Sequence, residues 1–191
     1  MIGIMDAALL AQGQESISVE NDGSIEWRVL VSNWPHIVEA ELEDGNYHFT
    51  KSQQHLVTRS DGKFGFDDAF LVPAGALHVR RLWVVESDQR VEIEWVQDGT
   101  HVHVNSPGGC YIEYISVASE HLWSANFTMG VQKKLEALIL RSIKEEFSEA
   151  SHVENDAEEY FQRARTHSSK ARTPQKMYKK GRIASARNRR G

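Results

Sequence analysis

Cysteine is nearly absent from this chain: Cys110 is the only one among 191 residues. A disulfide framework is excluded, and with it any zinc site built from several thiolates. A lone cysteine also fits a reducing compartment. Long hydrophobic runs are missing too. No apolar stretch approaches the ~18 uninterrupted residues of a membrane-spanning helix, so none is expected. The opening, Met1 to Ser16, has no basic residue ahead of its apolar run and carries Asp6, unlike a secretory signal. Internal repeats are not found. Asp and Glu vanish after Glu159. What is present is a 40% hydrophobic composition, enough for a packed core and too much for global disorder. One domain, alone or with an appendage, is the expected scale. A cytosolic or assembled protein fits; a small secreted module does not.

The net charge of −5 conceals a block asymmetry. Residues 1–162 hold 27 acidic against 11 basic side chains and carry −16. Residues 163–191 hold the other 11 Lys/Arg with no acid and carry +11. Such a distribution describes an acidic body with a basic interaction tail.

Along the chain, Met5–Gln12 is rich in helix formers and Gly13 ends it. Ser24 is placed to cap a second helix. Pro35 predicts a kink or restart near Asn33–Trp34–Pro35, after which Ile37, Val38 and Leu42 continue the apolar stripe. Gly45–Asn46 marks a break. From Leu56 to Val117 the period changes to that of strands. Leu77–Val85 and Arg90–Val96 each read as one strand, the second alternating Val91, Ile93 and Trp95 with charge. Asp98–Gly99 signals a hairpin and Ser106-Pro-Gly-Gly a second turn. Cys110–Ile115 then completes an expected antiparallel meander, wet on one face.

After Ser119, a candidate cap for a short turn through Trp123, helical periodicity returns. Phe127, Val131, Leu135, Leu138, Ile139, Ile143 and Phe147 form one apolar stripe, the clearest helix in the chain. A last helix is expected over Val153–His167, with Asp156, Glu158 and Glu159 in its first turn and Arg163 and Arg165 late, as the helix dipole favours. The expected fold is therefore α+β: a helical bundle of N-terminal and C-terminal helices, an inserted antiparallel β-sheet and an extended basic C-terminal tail. Residues 1–55 and 118–170 would form a discontinuous helical domain, 56–117 the β domain and 171–191 the tail.

Candidate chemistry is sparse. His101 and His103 share one strand face and with a carboxylate could bind a metal, although a solvated hairpin face explains them. Asp67 and Asp68 with Glu92 and Glu94 could serve as acid and base; Glu92 and Glu94 are more simply the polar side of a strand. Cys110 with His101 or His103 could be a nucleophile, or a small buried hydrophobe. Ser106–Gly109 has glycines but lies between strands, so it is a turn and not a phosphate loop. No catalytic residue, metal ligand or cofactor is assigned, and no enzyme is expected. The basic tail is harder to dismiss as a solubilising terminus. Arg172, Lys176, Lys179, Lys180, Arg182, Arg187, Arg189 and Arg190 are interleaved with Met177, Tyr178 and Ile183, as in segments that fold on a partner. That partner could be an acidic protein surface or nucleic acid phosphates.

Three runs carry a family resemblance. The first is Leu42-Glu-Asp-Gly-Asn-Tyr-His-Phe-Thr-Lys, followed by Leu56. The second is Gly65-Phe-Asp-Asp-Ala-Phe-Leu-Val-Pro-Ala-Gly-Ala-Leu-His-Val. The third is Tyr111-Ile-Glu-Tyr-Ile, then Trp123-Ser-Ala-Asn-Phe and a long amphipathic helix. With an acidic helix, the Ala164–Arg165 pair and a basic tail, this order and spacing resembles the head-to-tail adaptors of short-tailed phages, the tail tubular protein A-like and head completion proteins. It covers about residues 5–190. Tyr47 stands where the family often has Trp, Thr50 where it often has Ala, and Pro35 inside a helix that is often continuous.

The resemblance implies a structural virion protein at the head–tail junction, assembled in the host cytoplasm. It implies a ring, usually of twelve copies, under the portal protein, with genomic DNA passing through its channel. The helices would face the portal and the β domain the tail nozzle protein. The segment Arg172–Arg190 would dock in portal clefts, with Met177, Tyr178 and Ile183 as anchors. No membrane is involved. The acidic body would line the channel and repel DNA. The alternative is a nucleic-acid-binding protein using its basic tail, with affinity falling steeply as salt rises.

Overall fold

A computed structural model describes residues 1–17 and 19–170. The protein is mixed α+β, with helices at both ends of the chain flanking a multi-stranded antiparallel β region. Helix α1 spans Ile2–Ala11 rather than starting at Met5. The Met1 carbonyl accepts from the Ile4 and Met5 amides at 3.0 and 3.2 Å, and Ile2 and Ile4 gain contacts with the helical core. Gly13, at φ 67, stops it.

Helix α2 spans Ile25–Gly45, capped by the Ser24 hydroxyl, which accepts from the Trp27 amide at 3.0 Å. Pro35 does not restart it. The ring removes the donor that would reach the Val31 carbonyl, but Leu30, Val38 and Leu42 are all buried along one face and hold the helix to its neighbours. Tertiary burial outweighs the cost of an interior proline, about 3 kcal/mol for the lost hydrogen bond and the clash of the ring with the preceding turn.

The strands are β1 (Lys51–Leu56), β2 (Arg59–Asp61), β3 (Asp68–Leu71), β4 (Ala76–Glu86), β5 (Gln89–Glu92), β6 (Trp95–Asp98), β7 (His101–Val104) and β8 (Cys110–Ser116). They form two sheets, ordered β1-β8-β4-β5 and β2-β3-β7-β6. This corrects the single meander. Leu82, Val102, Val104 and Ile112, with Phe70 and Cys110, pack between the sheets. The run Arg90–Val96 is accordingly two strands. The Ile93 amide makes a last bond to the Leu82 carbonyl at 3.2 Å, and Trp95 then pairs with Val104 in the other sheet. Ser106–Gly109 carries the chain between sheets as well, because β7 and β8 are not paired.

Strand β4 contains a β-bulge. Val79 opposes Tyr114 and Arg81 opposes Glu113, so Arg80 is an extra residue on β4. Regular alternation would send Arg80 and Arg81 to opposite faces. The bulge instead leaves Val79 and Leu82 in the core and both arginines outside it.

Helix α3 spans Ala125–Ser142, capped by Ser124, and α4 spans Phe147–Lys170. The stripe expected to reach Phe147 breaks at Ile143. Lys144 donates to the Ile139 carbonyl at 3.2 Å and Glu146 to that of Leu140 at 2.9 Å, while Glu145 takes the left-handed φ of 57. Phe147 thus begins α4 and is 64% exposed. Because α4 starts there and not at Val153, Asp156, Glu158 and Glu159 sit mid-helix. Glu159 and Glu158 act through ion pairs to Arg163 and Arg165, not through the helix dipole, and Asp156 is exposed.

The four α-helices among the described residues all contribute to one core. Phe127 is its hub: the rings of Trp123, Tyr47, Phe49 and Phe161 lie 4.7, 5.0, 5.4 and 5.6 Å away. Gly130 makes room for it, since a Cβ there would stand 2.5 Å from Phe161 Cε1. No helix among the described residues is long and apolar enough to cross a membrane.

Candidate functional site

The residues chosen from sequence for portal docking, Arg172 through Arg190 with Met177, Tyr178 and Ile183, lie outside the described residues. What is described is the platform from which that segment leaves. Arg165 on α4 grips the Glu41 carboxylate on α2 through both oxygens, at 2.8 and 3.0 Å, and Glu158 at 2.6 Å. Tyr47 donates its hydroxyl to Glu41 at 2.5 Å. Burial raises the Glu41 carboxyl above its ordinary value even against these bonds. Burial, helped by Glu41, also pushes the Tyr47 phenol well up. One turn later, the Ser168 hydroxyl accepts from the His48 amide at 2.7 Å. The final turn of α4 is therefore tied to the α2–β1 connection.

His48 and Asn46 open onto a groove of about 520 Å³ on the outer face of the first sheet. Its floor crosses all four strands: Lys51 and Gln53 on β1, Glu113 on β8, Arg80 and Arg81 on β4, and Arg90 on β5. The β4 bulge delivers the two adjacent arginines to one carboxylate. Arg81 reaches Glu113 at 3.0 Å and Arg80 at 3.8 Å, and Gln53 donates to it at 2.7 Å. Burial pushes the Glu113 carboxyl up, but the bonds from Arg81 and Gln53 and the nearby positive charges outweigh it and hold the group below its ordinary value. Glu113 is thus spent on organising the arginines. Arg80 also donates to the Asn46 side chain.

A second row braces the groove. His55 stacks on Tyr111 with centroids 4.3 Å apart, and Tyr111 on Trp83 at 5.7 Å. The Arg90 guanidinium lies 5.0 Å above the Trp83 ring, a favourable place for a cation. Arg90 forms no ion pair among the described residues. The Arg81 Nε is buried without a hydrogen-bond partner. Other cations of the fold pair with single carboxylates: Arg59 with Asp68 at 3.1 Å, Lys133 with Glu136 at 2.7 Å, Arg141 with Glu154 at 2.6 Å.

The other sequence candidates fall apart as sites. His103 is buried, its Nδ1 accepts from the Lys63 amide at 3.1 Å, and its ring meets Phe64; His101 lies against Thr100. No group of three His, Cys, Asp or Glu that could hold a metal occurs among the described residues. Asp68 is buried, paired with Arg59 and accepting from the Ser106 amide at 2.8 Å, while Asp67 is exposed. Glu92 lies on β5 and pairs with Arg81 at 3.5 Å, and Glu94 is exposed in the link from β5 to β6. The Cys110 thiol is pushed up to about 11 by burial and the Asp68 charge, so it is a core residue and a poor nucleophile. The groove arginines went unnoticed in the sequence. Arg80-Arg81 beside Arg90 was the available signal, but only the bulge and the β4–β5 pairing join them.

No protein-family model matches the chain, and no curated protein is significantly similar to it.

Proposed function

We propose that this chain is a structural virion protein and not an enzyme: an adaptor that forms a ring between the portal and the tail nozzle of a short-tailed phage. Its helices are a bundle facing the portal, its β region faces the nozzle, and its C-terminal segment is an extended tail that docks on the portal. DNA passes through the ring, whose acidic body keeps the duplex from sticking. The observation that carries the proposal is the anchoring of the tail's root. A +8 segment, residues 171–191, leaves from a helix end fixed by the Arg165–Glu41 clamp and the Ser168–His48 bond. Once the body of the ring rests on the portal, a charged peptide held at a rigid point meets the portal surface at high effective concentration.

The test is light scattering of the purified chain, alone and with the portal ring from the same genome. The full chain is expected to add many copies to the portal. A chain ending at Ala171 should keep the same thermal unfolding and fail to bind. Equal binding by the shortened chain overturns the docking assignment. No association of the full chain, even at low salt, overturns the adaptor proposal and leaves nucleic acid as the tail's partner.

A further inference from the structure

We propose that the basic groove is one half of the seam between copies of this chain, and that it receives a carboxylate-rich stretch of a neighbouring copy's surface. The inference rests on the ring reading above. It starts from an imbalance of charge. Arg80, Arg81 and Arg90, with Lys51, line the groove around one lining carboxylate, Glu113, whose oxygens are already taken by Arg81, Gln53 and Arg80. Arg81 also reaches the exposed Glu92 at 3.5 Å, and Arg90, over the Trp83 ring, is the arginine with no carboxylate among the described residues. Three of the four cations are arginines, and the planar forks of Arg80 and Arg81 stand side by side because of the bulge. Adjacent forks suit carboxylates, which they bind through paired N–H groups.

The complement is on the same chain. Residues 1–162 carry 27 acidic against 11 basic side chains, and exposed Glu86, Asp88, Glu94, Glu149 and Asp156 form no ion pair among the described residues. A closed ring needs two unlike, complementary surfaces on each copy, and a basic groove on an otherwise acidic body provides one of them. Size fits as well. From β1 to β5 is three strand spacings, about 14 Å, the reach of about four extended residues. A DNA duplex suits the groove less well, because its charge, about one per 1.7 Å, would meet the −16 body around it.

The experiment uses the full chain and its Lys51→Glu/Arg90→Glu variant, with Lys51→Gln/Arg90→Gln as a milder pair and Arg28→Glu as a control away from the groove. Thermal unfolding checks each fold, and light scattering reads copies assembled, alone and on the portal ring. Expected is a loss of at least tenfold in assembly for the charge reversal, a smaller loss for the neutral pair and none for the control. Wild-type assembly should weaken as salt rises. A wild-type chain that never assembles overturns the ring reading and the seam together. A wild-type ring that the reversed groove also builds overturns the seam alone. So does a variant that assembles normally but loses binding to the portal or to a DNA duplex, since the groove then belongs to that partner.

Discussion

Phe127 and Trp83 are both aromatic and both almost fully buried, at 0% and 3% exposure, yet they are buried by opposite means. Phe127 is enclosed by other rings contributed from the turn before α3, from α4 and from the segment after α2. Trp83 lies on the outer face of a sheet, with Tyr111 on one side and the guanidiniums of Arg90 and Arg81 above it. The first arrangement excludes water and stabilises the fold. The second uses an aromatic row to hold charge at the surface. Burial alone does not separate a core residue from the floor of a binding groove; the chemistry of the covering atoms does.

The comparison can be tested from its strongest side first. Phe127→Ala removes the hub shared by four other rings and should cost about 3–5 kcal/mol, read by chemical denaturation. A loss under about 1 kcal/mol would mean that the helices are held by something other than this cluster. Gly130→Ala comes next. An alanine normally gains a helix about 1 kcal/mol over glycine. Here the added Cβ meets Phe161, and overpacking of about 1–3 kcal/mol should reverse the sign. A stabilised variant would show that Phe161 has room to move.

Acidification makes the smallest and most local change. The Glu113 carboxyl is held below its ordinary 4.5, so its stabilising contribution is complete above about that pH and is lost as pH falls through the lowered value. Glu41 is shifted the other way, so its contribution is present at low pH and lost as pH rises through the raised value. Acid should therefore loosen the outer face of the first sheet before the α2–α4 clamp. Amide hydrogen exchange across pH 3–6, a range of roughly 1.5 units about 4.5, would show it. Simultaneous loss of protection in both places would contradict the assigned directions.

Much of the helical part was legible in the sequence because its signals are local. Ser24 accepts from the Trp27 amide, as its position before an apolar stripe implies. Phe127, Val131, Leu135 and Ile139 recur at helical spacing and are all buried. The Asp98–Gly99 turn joins β6 to β7 with Asp98 opposite His101. Where expectation failed, local and distant demands pulled apart. Pro35 argued for a restart, and the burial of Leu30, Val38 and Leu42 overrode it. Phe147 continued a stripe that the backbone ended at Glu145.

The sequence by itself determined the helical ends, the strand-forming middle, the acidic body and the basic tail, because periodicity, capping and composition are properties of neighbours along the chain. Only the tertiary structure decided that the strands divide into two sheets, since Ile93 bonds to Leu82 in one while Trp95 pairs with Val104 in the other. It alone decided the groove. Whether Arg80 and Arg81 face apart or together depends on a bulge set by pairing with Tyr114 and Glu113, and a strand's register is chosen by its partner across the sheet, not by its own residues.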